Sequence, residues 1–138
     1  MDEVKSILKY KNVVVVGLSK DPSRPSYQVA KYLKENGFRI IPVNPQVDEV
    51  LNEKCYPSLL ELPENLKKSL EVVDIFQRSN DVLPIVEQAV EMKHKYGKPL
   101  AIWMQLGIIN EEAAGKAKEA GLKVVMNKCM KQEYERTR

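Results

Sequence analysis

Histidine and cysteine are scarce in this 138-residue sequence, which contains one histidine and two cysteines. His94 lies near the end of a predicted helix, where a favourable contact with the helix dipole is its simplest role. Cys55 and Cys129 are far apart in the chain and lack the spacing of metal ligands. The sequence therefore argues against a metal site, a disulfide framework and a Ser-His-Asp triad, and we expect both thiols to be free.

Long apolar runs and an excess of one charge are also lacking. No apolar run approaches the ~20 residues that cross a bilayer, and no segment typical of a signal peptide follows the N-terminus. The net charge is only +3, with 22 basic and 19 acidic residues interspersed. We therefore expect a cytoplasmic protein with no membrane and no nucleic-acid partner.

Glycine is missing where a dinucleotide-binding fold needs it. The segment VVVVGLSKDPSRPSY (13–27) leads four valines into a polar loop in which Gly17 is the only glycine. The acid expected at the end of the next strand is replaced by Asn44, which Pro45 follows, and no Gly-Lys-Ser/Thr sequence occurs. These departures disfavour ordinary NAD binding and a P-loop.

Alternating strand and helix patterns fill the rest of the chain. Continuous β-branched or apolar runs predict buried strands at 12–18, 38–44, 70–77, 99–105 and 122–127. Amphipathic spacing predicts helices at 2–11, 26–36, 80–97 and 110–121, with a closing helix from 129. This order predicts an α/β fold with one domain (1–138): a single doubly wound, mostly parallel, Rossmann-like sheet with helices on both faces.

Several local details follow from single residues. Asn80 is expected to cap the helix at 80–97, and Gly97 to end it. Pro42 lacks an amide hydrogen, which favours an edge-like position for the second strand. Prolines break 45–66 into turns, with a short strand around Cys55–Tyr56 and a helical turn at Ser58–Leu62.

The carboxyl ends of the strands are where an open parallel sheet binds its ligands. The loops that follow the five strands are rich in hydrogen-bond donors and poor in acids. Their candidate site residues are Gly17, Ser19, Lys20, Arg24 and Ser26; Asn44 and Pro45; Phe76, Gln77, Arg78 and Ser79; Met104, Gln105, Leu106 and Gly107; and Asn127, Lys128 and Cys129.

The loop after the first strand has the chemistry of a phosphate site. It opens onto a helix N-terminus, where free amides and the helix dipole favour anions. Ser19 and Ser26 can donate hydroxyl hydrogens, and Arg24 can hold phosphate through two parallel bonds. Arg78 adds a second cation from a neighbouring strand end. A solvated tight turn is the alternative, and these groups together favour phosphate binding.

Residues that could support a reaction are few. Asp74 lies within a predicted strand, where a hydrogen-bonding role is more expected than acid–base chemistry. Gln105 places a polar amide after a buried strand and needs a partner. Cys129 stands beside Lys128 at a strand end, and a neighbouring cation is typical of reactive cysteines, although an inert thiol is the simpler interpretation. We identify no catalytic residue.

Six short segments occur in the order typical of one family. They are VVVGLSKDPSRPSYQVAKYL, IIPVNP, YPSL, VDIFQRS, IWMQLGIINEEAA and AGLKVVMNKC. On these residues the chain resembles the small, stand-alone CoA-binding domain family, whose fold is related to the CoA-binding domain of the succinyl-CoA synthetase alpha subunit. The sequence departs from the family pattern at Gln77, Asn127 and Tyr134, where a second arginine, an acid and often a histidine are usual.

The resemblance implies a cytoplasmic protein that binds coenzyme A without an assigned reaction. The pyrophosphate is then expected on the 17–26 loop, with Arg24 and Arg78 holding charge. Asn44 and Gln105 would suit the amides of the pantetheine arm. The candidates for an adenine slot are Phe76, Val82 and Ile85.

Other functions stay open at this stage. The chain could serve an acyl-CoA ligase or transferase that needs a partner subunit, or exchange thiols with coenzyme A through Cys129. A regulatory subunit whose ligand acts as a signal is a third possibility, and a homo-oligomer is compatible with each of them.

Overall fold

The predicted α/β architecture is confirmed in the computed structural model, which describes residues 2–138. The main sheet consists of β1 (Asn12–Val16), β2 (Arg39–Val43), β5 (Val72–Ile75), β6 (Ala101–Met104) and β7 (Lys123–Val125). A small second sheet consists of β3 (Glu49–Val50) and β4 (Glu53–Lys54). The helices are α1 (Glu3–Leu8), α2 (Pro25–Glu35), α3 (Glu64–Lys67), α4 (Val82–Tyr96), α5 (Glu111–Glu119) and α6 (Met130–Thr137).

The main sheet has the strand order β2-β1-β5-β6-β7, and each of its pairings is parallel. From β1 the chain passes to β2 on one side and later returns to β5 on the other side. The carboxyl ends of β1 and β5 therefore flank the topological switch point, where open α/β sheets form a crevice.

Alternate residues of each strand pack into two separate hydrophobic cores. Val13 and Val15 face the core that α1, α2 and α6 cover, whereas Val14 and Val16 face the core under α3, α4 and α5. All four of these valines are buried. The continuous valine run thus reflects a strand that is covered on both faces, as the sequence pattern predicts.

The ends of the helices agree with their sequence signals in most places. Pro25 occupies the first turn of α2, and Gly97 ends α4 in a left-handed conformation with φ of 79°. The side chain of Asn110 caps α5 by accepting a hydrogen bond from the Ala113 amide. The prediction that Asn80 caps α4 is wrong, because a 3-10 turn over Ser79–Asp81 precedes the helix.

The segment between β2 and α4 holds more structure than its prolines suggest. The two-residue turn at Leu51 and Asn52 has positive φ angles of 55° and 60° and joins β3 to β4. Such turns usually carry glycine, and for this reason the sequence did not indicate a hairpin. The strand expected at Cys55–Tyr56 is reduced to one bridge between Tyr56 and Val43, next to edge strand β2.

Candidate functional site

Two adjoining depressions form one groove along the carboxyl ends of β1, β5 and β6. The smaller, of about 360 Å³, lies over the β1–α2 loop, and the larger, of about 640 Å³, lies between α2 and α6. Pro25 and Phe76 line both depressions. The smaller is also lined by Gly17, Ser19, Arg24 and Ser26, and the larger by Gln28, Val29, Gln77, Arg78, Gln105, Leu106, Ile108, Cys129, Lys131, Gln132 and Glu135.

The β1–α2 loop is held in place by its own polar side chains. The Ser19 amide donates a hydrogen bond to Ser26 Oγ at 3.0 Å, and the Asp21 amide donates to Ser19 Oγ at 3.0 Å. Both serine oxygens therefore act as acceptors within the loop. Their hydroxyl hydrogens stay free to donate, because a hydroxyl group can accept and donate at the same time.

The start of α2 adds backbone donors to the smaller depression. Pro25, in the first helical turn, has no amide hydrogen, and the Gln28 amide donates to the Arg24 carbonyl. The amides of Ser26 and Tyr27 lie between them, at helix positions that have no acceptor within the helix. This end of the groove therefore combines backbone amides, two hydroxyl groups and the positive end of a helix dipole.

Two arginines stand at the rim of the groove. Arg24 is exposed and forms no ion pair within residues 2–138. Arg78 donates through Nε to Asp81 Oδ2 at 3.0 Å, but its side chain is 89% exposed. One acid lies in the loop: Asp21, whose pKa is lowered by hydrogen bonds from Ser23 and by the charge of Arg24. The rim is therefore cationic on two sides of the groove.

Gln105 lines the larger depression and pairs with Asp74, which is buried behind it. Asp74 is 0% exposed and Gln105 is 3% exposed. Gln105 Nε2 donates to Asp74 Oδ1 at 2.6 Å, and Gln105 Oε1 accepts from the Met130 amide at 3.3 Å. Burial raises the pKa of Asp74 to about 7, against the lowering effect of the Gln105 hydrogen bond. Asp74 Oδ2 has no hydrogen-bond partner in the described part of the chain.

The two cysteines have different surroundings. Cys129 is half-buried, lines the larger depression and immediately precedes α6. Cys55 is 6% exposed, and burial raises the pKa of its thiol. Both thiols are free. Only Cys129 is therefore placed where a molecule in the groove can meet a thiol.

Nine of the predicted site residues do not line the groove: Lys20, Asn44, Pro45, Ser79, Val82, Met104, Gly107, Asn127 and Lys128. Val82 and Met104 are fully buried in the core under α3, α4 and α5, so neither can form part of a ligand surface. Asn44 donates to the Leu18 carbonyl and accepts from the Gln46 amide, so it braces the loop instead of lining the groove. Pro45 and Lys20 line other depressions of the surface.

Ile85, a further adenine candidate, lines the same depression as Pro45, and that depression shares Gln77 with the groove. Of the three apolar candidates for an adenine slot, Phe76 is thus the one that lines the groove itself. Phe76 lines both of its depressions.

Sequence reasoning missed the contribution of the helix walls. Gln28 and Val29 reach the groove from the first turns of α2, and Lys131, Gln132 and Glu135 reach it from α6. The spacing of Pro25, Gln28 and Val29 places them on one face of α2. Because α2 follows the β1–α2 loop directly, this spacing is a sequence signal for the wall of the groove. The position of α6 beside the groove has no comparable sequence signal.

Within residues 2–138 no cluster of three or more histidine, cysteine or acidic side chains has the arrangement of a metal site. None of the helices there has both the length and the apolarity required to span a bilayer.

The chain is similar to known proteins over nearly its whole length. The chain is 38% identical over 130 residues to the uncharacterized protein YneT of Bacillus subtilis strain 168, covering 94% of this chain and 90% of that protein. A hypothetical protein from Pyrococcus horikoshii OT3 superposes with a TM-score of 0.86 and 40% identity, over 99% of this chain and 92% of the other.

A more distant similarity connects the chain to enzymes of CoA chemistry. An ADP-forming acetate–CoA ligase II of Archaeoglobus fulgidus is 36% identical over 73 residues, which are 51% of this chain but only 11% of the ligase. The family described as CoA binding domain matches residues 11–135, from the start of β1 to within α6. The chain therefore belongs to the CoA binding domain family.

Proposed function

We propose that this protein binds coenzyme A or an acyl-CoA in the groove, with the pyrophosphate on the 17–26 loop. The observation that carries the proposal is the convergence of free amides, serine hydroxyls and two arginines at the switch point of the sheet. A pyrophosphate and a 3′-phosphate supply several negative charges that such a set of donors can hold.

The dimensions and lining of the groove support a ligand longer than a simple phosphate. A volume of about 640 Å³ for the larger depression is typical of sites that hold small organic ligands. The ring of Phe76 offers a surface for adenine, and the exposed Gln132 amide offers a partner for the pantetheine arm. Leu106 and Ile108 add apolar surface on the opposite rim.

Isothermal calorimetry with three ligands tests this proposal. CoA is expected to bind more tightly than dephospho-CoA, because the latter lacks a phosphate that the cations can hold. NAD is expected to bind at least about tenfold more weakly than CoA, because Asn44 stands at the end of β2, where an acid would bind the ribose of NAD. No heat with CoA, or equal affinity for CoA and NAD, would contradict the proposal.

Thiol exchange is a second candidate function, favoured by the position of Cys129 in the groove. In this reaction the Cys129 thiolate attacks one sulfur of CoA disulfide and forms a mixed disulfide with one CoA. The other CoA leaves as a thiolate and takes up a proton. No further oxidant is needed, because the disulfide supplies the oxidising equivalents.

Mass spectrometry after incubation with CoA disulfide tests the exchange. The expected result is a mass gain of one CoA moiety that is lost in Cys129→Ser and kept in Cys55→Ser. An unchanged mass of the wild-type protein would end this candidate while leaving CoA binding itself untouched.

Two broader properties belong to the same proposal. The first is that the protein carries or senses CoA in the cytoplasm. The second is that it acts as a partner of an acyl-CoA enzyme, which agrees with its similarity to part of a CoA ligase. Neither property requires a reaction by this chain alone.

A further inference from the structure

We propose that Asp74 is a positioning residue that orients Gln105 as the cap of α6 and so holds one wall of the groove in place. The groove is the one assigned to CoA, so the ligand-binding part of this inference rests on the proposed function. The hydrogen bonds between Asp74 and Gln105 and between Gln105 and Met130 lie within the protein, so their effect on α6 can be tested without a ligand.

The orientation of the Gln105 amide follows from the partner on each side. A carboxyl oxygen such as Asp74 Oδ1 accepts the 2.6 Å hydrogen bond from Nε2. The other end of the amide, Oε1, then points to the Met130 amide at 3.3 Å. Without an acceptor at residue 74, nothing fixes the orientation of the Gln105 amide. A rotation by half a turn would bring Nε2, which donates, against the Met130 amide, which also donates, and the hydrogen bond would be lost.

Helix α6 needs this cap because its own N-cap residue does not provide one. Cys129 occupies the N-cap position and makes no side-chain cap hydrogen bond. Met130, the first residue of the helix, is 0% exposed. A buried amide without an acceptor is costly. Gln105, which follows β6, supplies an acceptor for this first amide of the helix, whereas a local N-cap side chain would serve the second or third amide.

The same contact determines where the α6 wall lies relative to the sheet. Trp103 Nε1 donates to the Lys128 carbonyl at 2.8 Å, and the Lys128 amide donates to the Met104 carbonyl at 3.4 Å, so the β6 segment anchors residue 128 as well as residue 130. Cys129 lies between these two anchors, and Gln132 and Glu135 follow on the same wall. A loosened anchor at Met130 would therefore move the side chains that face the ligand.

Asp74 cannot touch a ligand in the groove, so any effect of Asp74 on ligand binding must act through Gln105. The Asp74 side chain is fully buried and does not line either depression. Asn at this position keeps an acceptor oxygen for Gln105, whereas Leu has the same branching and number of side-chain heavy atoms but no acceptor. Asp74→Asn and Asp74→Leu thus form a matched pair that separates the hydrogen bond from the space that the side chain fills.

Amide hydrogen exchange by NMR, without ligand, is the first measurement. Asp74→Leu is expected to accelerate exchange of the Met130 amide at least about tenfold, relative to amides in the middle of α4. Asp74→Asn is expected to keep the wild-type rate within about threefold. Gln105→Met, which removes the amide but keeps the length of the side chain, should reproduce the effect of Asp74→Leu.

Calorimetry with CoA on the same variants is the second measurement. Asp74→Leu and Gln105→Met are expected to weaken CoA binding about tenfold, with Asp74→Asn close to wild type. Unchanged exchange at Met130 in Asp74→Leu, or unchanged affinity while the wild type binds CoA, would overturn the positioning role. Absence of CoA binding by the wild type would instead overturn the proposed function.

Discussion

Gly17 and Phe76 meet backbone to backbone at the switch point: a Cβ atom at residue 17 would lie 2.4 Å from the Phe76 carbonyl oxygen. It would also lie 2.9 Å from Gln77 Nε2. Gly17 further has a positive φ of 86°. The glycine is therefore required by the close approach of the β1 and β5 ends, whether or not a ligand also passes near it.

Gly17→Ala is expected to destabilise the fold by several kcal/mol, because it combines a backbone clash with a strained φ angle. Gly107→Ala is the matched control. Its φ is 84°, but nothing lies within 4 Å of the added Cβ atom. Urea unfolding should show a loss for the control of only about 1–2 kcal/mol. Equal losses in the two variants would show that the clash is relieved at little cost.

The stability of the protein is expected to fall as the pH rises from about 4 to about 7. The pKa of Asp74 is 3.8 when unperturbed and about 7 in the fold, so in this interval the unfolded chain has released a proton that the folded chain still holds. The free energy of unfolding then decreases by up to ~1.4 kcal/mol per pH unit and becomes level again above pH about 7.

Asp74→Asn cannot titrate and should remove this contribution to the slope, so it gains stability over the wild type at pH 8 but not at pH 3. Urea unfolding at several pH values measures both proteins under the same conditions. Parallel stability curves for the two proteins would mean that Asp74 ionises normally in the fold.

The two rim arginines are expected to contribute unequally to CoA binding. Arg24→Gln should weaken binding by about tenfold or more, because a charge-assisted bond to phosphate is lost. Arg78→Gln should cost less, because Asp81 already pairs with this side chain. Arg39→Gln is the control. Arg39 is exposed at the amino end of β2, whereas the groove lies at the carboxyl ends of the strands.

Titrations at low and high salt identify the cause of these losses. The difference between Arg24→Gln and the wild type should shrink as salt is added, because ions screen exposed charges. A loss in Arg39→Gln as large as that in Arg24→Gln would point to general charge attraction instead of a defined phosphate contact.

Cys129 is expected to react with iodoacetamide faster than Cys55, because Cys55 is 6% exposed and burial raises its pKa. Acetyl-CoA, which has no free thiol, should slow the labelling of Cys129 and leave that of Cys55 unchanged. Peptide mass spectrometry measures both sites in one sample. Equal protection of the two cysteines would indicate general stabilisation of the fold and not coverage of the groove.

Much of the fold was predictable because its signals are local. The valine run at 13–16 indicated a strand covered on both faces, and Gly97 indicated the end of a helix. The β3–β4 hairpin is not indicated by the sequence because Leu51, at the first turn position, adopts a positive φ that leucine rarely shows. Asn80 was misassigned because a 3-10 turn separates it from the helix.

The site was predictable only in part, for a similar reason. Ser19, Arg24 and Cys129 follow strand ends in the sequence, and they line the groove in the structure. Met104 also lies at a strand end, but its side chain packs in the core on the opposite face of the sheet. The position of a residue in the sequence shows that it lies near the end of a strand. The face of the sheet to which its side chain points depends on the alternation along the strand and on the local twist of the backbone.

The sequence by itself determined the layered α/β architecture, the edge of the sheet that carries the donors, and the cationic character of that edge. These properties follow from hydrophobic periodicity and from residue types that act over a few positions. Only the tertiary structure decided that α6 forms a wall of the groove and that Gln105 links it to Asp74. Such contacts join residues 31 and 25 positions apart, and they exist only once the strands have paired and the helices have packed.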